Sequence, residues 1–280
     1  MKEAGDRIMA LGPRIGQGKT AEVFQWEHNK IIKLFRSRKL DALLEAEWKL
    51  SRTVQELKLA VPAVYGIEAV DGKKGIVYER IDGPTLTRQL SKKPWQLNKL
   101  ARLMASQHFE LGCRSGAGLP PQKQLLEYNI THAPQLTEGQ KAAVIRYLRQ
   151  LSDGGQACHG DFHPDNVMLS SKGPVIIDWT TGSCGQPIAD VARTVLILEY
   201  AELPASMPRL IRTLLTVLRR KLKQEYTSAY LALSGHSLED IRMWTLPLAA
   251  ARLIEGVTGE EERRLLRLVQ ERISSGQPVV

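Results

Sequence analysis

Asp82–Gly83–Pro84 divides this chain into two stretches with different hydrophobic periods, and that division constrains the fold more than any other feature. Ahead of it apolar residues mostly alternate at period two, as strands require; beyond it they mainly recur at helical spacing. One continuous layer cannot serve both periods. The expectation is therefore an α+β, bilobal chain: an N-terminal lobe over 1–82 and a mainly helical C-terminal lobe over 83–280. With 280 residues the chain can bury cores of that size.

In the first part Ile8 to Ile15 leads into Gly16–Gln17–Gly18–Lys19–Thr20, and Ala21 to Trp26 then alternates. His28–Asn29 suits a hairpin turn before Lys30 to Phe35. From Lys39 to Lys58 the period becomes helical, with Leu40, Leu43, Leu44, Glu47, Leu50, Val54 and Leu57 on one face, until Val61–Pro62 stops it. Two more strands, Ala63–Val70 and Gly75–Ile81, flank the turn residues Asp71–Gly72. The sum is a five-stranded antiparallel sheet with one inserted helix. In the second part, capping boxes are predicted at Thr137 with Gln140, Ser237 with Asp240 and Thr258 with Glu261.

The net charge of +9 raises the question of nucleic acid. Much of the excess lies in Arg209, Arg212, Arg219, Arg220, Lys221 and Lys223. These share a helical segment with Leu210, Ile211, Leu214, Leu215 and Leu218, expected to form the buried stripe opposite a solvated basic face. No aromatic residues interleave the cations, so no specific nucleic-acid partner is expected. Val191 to Leu198 is broken by Arg193 and too short to span a bilayer, so no membrane partner is expected either. Cys113, Cys158 and Cys184 are widely spaced and form no CxxC, which points to a reducing, cytoplasmic setting.

The chemistry concentrates in His159–Gly160–Asp161–Phe162–His163–Pro164–Asp165–Asn166, followed by Ile176–Ile177–Asp178–Trp179. An Asp, an Asn shortly after it and a second Asp at the end of an apolar run suit phosphoryl transfer from a nucleotide. The first carboxylate, Asp161, accepts the proton of an attacking hydroxyl; Asn166 and Asp178 hold Mg²⁺ on the triphosphate. The same order of base, amide and carboxylate occurs in protein kinases, though here H-G-D replaces H-R-D and I-I-D-W replaces D-F-G. Each of these residues alone could be a turn-former.

Two misplaced charges support the reading. Lys33 interrupts the apolar strand Ile31 to Phe35, and Glu47 interrupts the helix stripe between Leu43 and Leu50. An inward carboxylate is costly unless paired, and a Lys33–Glu47 pair, with Lys33 on nucleotide phosphates, accounts for both. Gly16 and Gly18 would let backbone amides approach those phosphates. Gly18–Lys19–Thr20 imitates the end of a Walker A loop, but Pro13 occupies the place of its first glycine, and a strand rather than a helix follows. An iron site from His159, Asp161 and a distant His236 is disfavoured, because such sites usually sit on a barrel of strands whereas helices follow Asp178. No G-x-S-x-G elbow is present.

With these residues assembled, the chain resembles the aminoglycoside phosphotransferase and choline kinase superfamily, which has a protein-kinase-like fold. The resemblance runs from IGQGKTAEVF through IIKLF, YERIDGPTL and HGDFHPDNVML to IIDW and GQPIADVART. It implies ATP and Mg²⁺ as cofactors and a small-molecule hydroxyl acceptor, on a monomer or dimer. It also implies Asp161 as base, Lys33 on ATP phosphates oriented by Glu47, and Glu79 to Ile81 as the backbone hinge that reads the purine. Asp190 and His159 would brace the catalytic loop, and His108 would pack beside it. Ala21 replaces a third loop glycine, and no A-P-E element for a protein substrate occurs. The alternative is a non-catalytic module that keeps the kinase fold.

Overall fold

The computed structural model describes residues 11–18, 20–37, 40–203 and 207–275. The beginning of the expected first strand, Lys19 of the glycine loop and the Lys39 start of the first helix lie outside them. The chain forms two compact units, one of Met1–Gly83 with Ser170–Thr180 and one of Pro84–Leu169 with Thr181–Val280. The Ser170–Thr180 segment follows the HGDFHPDN motif in sequence yet folds with the first unit.

That first unit is built on strands β1 (Arg14–Gln17), β2 (Ala21–Trp26), β3 (Lys30–Phe35), β4 (Val64–Val70) and β5 (Lys73–Glu79), with helix α1 (Asp41–Glu56) between β3 and β4. All pairings are antiparallel, in the order β1-β2-β3-β5-β4. Asn29 and Asp71 adopt positive φ of 61° and 49° at the two tight turns, a conformation their short polar side chains tolerate. Alternation along β3 sorts the core. Ile32 and Leu34 join Trp26 and Val77 in one buried cluster, whereas Phe35 joins Ala21, Ile76 and Leu44 of α1 in the other.

Helix α1 turns most of its expected face inward, with Leu43 the exception. Leu44 and Val54 are buried, and Trp48 packs on the sheet cluster, but Leu43 is 52% exposed. The packed positions are 44, 47, 48, 51 and 54 at helical spacing, so Leu43 lies outside the stripe.

In the second unit come α2 (Leu86–Lys92), α3 (Leu97–Gly112), α4 (Gln122–Thr131), α5 (Glu138–Gln150) and the short strands β6 (Gln156–Cys158) and β7 (Val167–Ser170). Strand β8 (Gly173–Ile176) belongs to the first unit, where the Ile176 N–H donates to the Ala60 carbonyl at 2.9 Å. The chain then returns through β9 (Ser183–Gly185) to α6 (Pro187–Tyr200), α7 (Arg209–Ser234), α8 (Leu238–Arg252) and α9 (Gly259–Ser274). Strand β9 pairs antiparallel with β6. Helix α3 buries Leu97, Leu100, Ala101, Met104, Ala105, His108 and Leu111, one stripe at three- and four-residue spacing, and packs against α7. Among the described residues no helix is long and apolar enough to cross a membrane.

The capping boxes at Thr137 and Ser237 form. The one expected at Thr258 does not, because Glu261 is otherwise engaged. Its carboxylate is buried, pairs with Arg252 at 2.7 Å and accepts the Glu202 N–H at 3.1 Å, so it does not reach back to the helix start.

The expected buried stripe of α7 forms only in part, with Leu215 and Leu218 half-buried. Leu210, Ile211 and Leu214 are exposed, while Arg212 and Arg219 turn partly inward and donate to the Met207 and Ala201 carbonyls. Only from Leu222 onward does α7 bury side chains, with Tyr226, Thr227 and Tyr230.

Leu44→Ala is expected to cost about 2–5 kcal/mol of unfolding free energy, whereas Leu43→Ala should stay within about 0.5 kcal/mol of wild type. Urea denaturation of both variants checks this, and equal losses would contradict the observed phase of α1.

Candidate active site

In the first unit the two misplaced charges meet. Lys33 faces the α1 side of the sheet because its neighbours Ile32 and Leu34 point the other way. Its Nζ lies 2.9 Å from Glu47 Oε1 and 3.3 Å from Asp178 Oδ1. Burial works against the charged ammonium, but Glu47 and then Asp178 outweigh it and hold the Lys33 pKa above the ordinary lysine value.

Glu47 is also fixed from the sheet. The Tyr78 hydroxyl donates to Glu47 Oε1 at 3.0 Å and lies 2.9 Å from Ser51 Oγ. Burial, followed by the Glu47 charge, pushes the Tyr78 hydroxyl pKa up, so it stays a donor. Neither Tyr78 nor Ser51 stands out in the sequence, since a Tyr in a strand and a Ser in a helix carry no pattern of their own.

Asp178 has φ of 59°, in the left-handed region that a non-glycine residue enters at a cost. Next to it Trp179 is buried and donates its indole N–H to the Ile176 carbonyl at 3.3 Å, anchoring the segment. Glu79 ends β5; its N–H donates to the Ala63 carbonyl at 2.8 Å and its carboxylate accepts the Ala63 N–H at 3.1 Å. Ile81 lies just beyond the strand. In the glycine loop, the Gly18 N–H closes the turn onto the Ala21 carbonyl at 2.8 Å. A Cβ at Gly16 or Gly18 would meet nothing closer than 3.6 Å, so packing within the chain gives no reason for glycine at either.

In the second unit the motif loop hangs on one buried carboxylate. Asp190, in the first turn of α6, accepts the His159 N–H at 2.5 Å and the Gly160 N–H at 2.8 Å. Its Oδ2 also lies 3.0 Å from His108 Nε2, and His108 Nδ1 lies 2.6 Å from the Tyr226 hydroxyl. Burial alone would raise the Asp190 pKa; His108, with His159 adding to it, holds it below the ordinary value. His108 thus does more than pack: its ring lies 4.1 Å from that of Phe162 and it also partners the bracing carboxylate. Helix α6 adds further bonds, from Arg193 Nε to the Gly160 carbonyl and from Thr194 Oγ1 to the Phe162 carbonyl at 2.8 Å.

Gly160 has φ of 75°, and a Cβ there would come within 2.4 Å of the Thr181 carbonyl oxygen. Only glycine fits, on both counts. The turn sets Asp161 against two polar side chains. Asn166 Nδ2 donates to the Asp161 carbonyl at 2.9 Å and to its Oδ2 at 3.3 Å, which turns Asn166 Oδ1 away from Asp161. His163 Nδ1 accepts the Asp165 N–H, leaving Nε2 to carry the proton and face Asp161 Oδ2 at 3.3 Å. Burial would raise the Asp161 pKa, but the His163 hydrogen bond and charge, then Arg193 and His159, hold it at about 2. Asp161 is therefore ionised at neutral pH.

These features identify the chain's relatives. The model of the phosphotransferase enzyme family matches residues 13–236, well over half of the sequence. The chain belongs to the phosphotransferase enzyme family. No curated protein sequence matches it. Among solved structures, this phosphotransferase resembles a thermostable mutant of aminoglycoside phosphotransferase APH(4)-Ia in ternary complex with AMP-PNP and hygromycin B, at 13% identity and TM-score 0.65, covering 96% of this chain and 94% of that one. It also resembles APH(2")-IIa in the streptomycin–ATP ternary complex, at 15% identity and TM-score 0.58 over 97% of each chain. Amicoumacin kinase hAmiN in complex with AMP-PNP, Ca²⁺ and Ami matches at 14% identity and TM-score 0.58, over 93% of this chain and 87% of that one. At such identities the likeness establishes the shared fold.

Because the folded pKa of Asp161 is depressed, its contribution to stability is present above the unfolded value of about 3.9 and is lost as pH falls toward the folded value. The stability advantage of the wild-type phosphotransferase over Asp161→Asn should therefore shrink between about pH 5 and pH 2. Urea titrations at several pH values check this, and a pH-independent difference would contradict the ionised assignment.

Proposed function

We propose that this phosphotransferase moves the γ-phosphoryl group of ATP to a hydroxyl of a small molecule, with Asp161 as the base. The observation that carries the reading is the held, ionised carboxylate of Asp161, fixed by Asn166 and His163 in a loop whose backbone is bonded to Asp190. A loose phosphoryl transfer needs little prior deprotonation, so a well-placed base of low pKa suits it better than a displaced strong one. In this role Asp161 orients the acceptor hydroxyl and takes its proton as the O–P bond forms and ADP leaves.

The nucleotide side of the reaction falls to the first unit. Lys33, already charged and held by Glu47, would contact the α- and β-phosphates. The spare room at Gly16 and Gly18 suits close approach of phosphate to backbone amides. Glu79 and Ile81 would present backbone to the purine. Asp178 is held in a strained conformation, which is commonest where a side chain must be aimed.

Asn166 offers an amide oxygen and Asp178 a carboxylate, both hard donors of the kind Mg²⁺ takes together with substrate phosphates. When bound, the ion neutralises charge building on the β- and γ-phosphate oxygens. Among the described residues there is no group of three His, Cys, Asp or Glu side chains placed to hold a metal.

Of the acids Glu199, Glu202 and Glu255, which could favour a polycationic acceptor, Glu199 and Glu255 are compensated, while Glu202 is exposed. Glu199 pairs with Lys223 and lies 3.7 Å from Arg264, and Glu255 pairs with Arg193 at 2.8 Å and Arg252 at 3.0 Å.

Asp161→Asn should lower turnover at least about a hundredfold, with nucleotide affinity nearly intact. Wild-type turnover by the variant, measured as acceptor-stimulated ADP release, would remove Asp161 from the base role. Asp178→Ala should lose Mg²⁺-dependent nucleotide binding by calorimetry, and unchanged binding would refute its metal role. ATP with Mg²⁺ at about a hundred times its Kd should stabilise the wild type by about 2.7 kcal/mol. A nucleotide-induced shift with no acceptor found across a panel of hydroxylated metabolites would instead favour the non-catalytic module.

A further inference from the structure

The basic segment that opens α7 has no part in the chemistry above, and its exposure runs opposite to what its pattern suggests. Leu210 is 82% exposed, Ile211 48%, Leu214 58% and Val217 60%. Leu210, Leu214 and Val217 follow one another at four- and three-residue spacing, so they form a single row along the helix, and Lys221 continues it one turn on. Arg209 and Arg220 flank the row, exposed like Lys221. From Leu203 to Lys223 the sequence contains no Asp or Glu. Helix α7 therefore presents an apolar ridge bordered by exposed cations.

We propose that this ridge seats the protein on the surface of an anionic lipid bilayer, the leucines entering the headgroup boundary and the cations meeting lipid phosphates. Three features favour that occupant. Side chains 48–82% exposed stand as a ridge rather than line a groove, whereas peptide helices are gripped in grooves. A fluid bilayer takes a ridge without needing a complementary cleft. A second copy of this chain packed on the same ridge would bring one basic border against another, a like-charge contact that costs affinity. The combination of apolar row and basic border matches neither a neutral surface nor a purely electrostatic one. The association is peripheral, since no described helix can span a membrane.

The test is co-sedimentation of the full chain with phosphatidylcholine vesicles, with and without about 30 mol% phosphatidylglycerol. The expected result is binding to the anionic vesicles only, weakening as salt is raised. Leu210→Gln with Leu214→Gln keeps the charge and should lower partitioning at least about tenfold. Arg220→Gln with Lys221→Gln keeps the apolar row and should lower it by on the order of tenfold. All four positions are exposed, so both variants should match the wild-type circular dichroism and melting temperature. The proposal is overturned if the anionic vesicles bind nothing, if neither pair of substitutions weakens binding, or if neutral vesicles bind equally well. It is overturned equally if light scattering shows a wild-type dimer that Leu210→Gln with Leu214→Gln dissociates, or if an acidic amphipathic peptide binds where vesicles do not.

Discussion

The buried carboxylate of Asp190 is the interaction on which the motif loop depends. A tight loop must satisfy its own backbone amides, and this one gives two of them, from His159 and Gly160, to a single side chain. Once those bonds are made, the chain at Gly160 is forced into a left-handed turn where no side chain fits. Asp161 follows directly and inherits its position. A buried charge requires compensation, and His108 supplies a partner from α3, with Tyr226 of α7 behind it. Three helices distant in sequence thereby hold one loop, and the pairing explains why polar residues are accepted in an otherwise apolar interior.

A comparable economy holds in the first unit. Lys33 and Glu47 would each be unfavourable alone in their half-buried surroundings, and each is the reason the other is tolerated. Tyr78 and Ser51 complete the set, so the carboxylate is held from the sheet as well as from the helix that bears it. Lys33 is thus placed by strand alternation, and its orientation is locked by contacts with Glu47 and Asp178 that alternation alone does not supply.

How far such a site can be read from sequence depends on whether the residue breaks a pattern. Lys33 and Glu47 interrupt apolar runs and were visible for that reason. Asp161, Asn166 and Asp178 were visible through their spacing. Tyr78, Ser51, Thr194 and Tyr226 fit their local patterns and signal nothing until their partners are known. His108 looked like packing, because a lone His in an apolar helix gives no hint of a carboxylate from a helix far along the chain. The Thr258–Glu261 box carried a correct local signal that lost to a stronger ion pair with Arg252. Helix α7 misled for another reason. Periodicity shows that a helix has two faces, but which face meets a neighbour is set by the neighbour, and Arg212 and Arg219 found backbone carbonyls on the inner side.

By itself the sequence determined the α+β class, the five antiparallel strands with one helix, and the residue types gathered in the motif loop, because period, turn residues and motif spacing are local properties. Tertiary structure alone decided the exposure of Leu43 on α1, the bracing of the loop through Asp190 and His108, and the outward turn of Leu210 and Leu214 on α7. Those outcomes depend on contacts between residues far apart along the chain, where burial and charge pairing choose among alternatives that local pattern leaves equal.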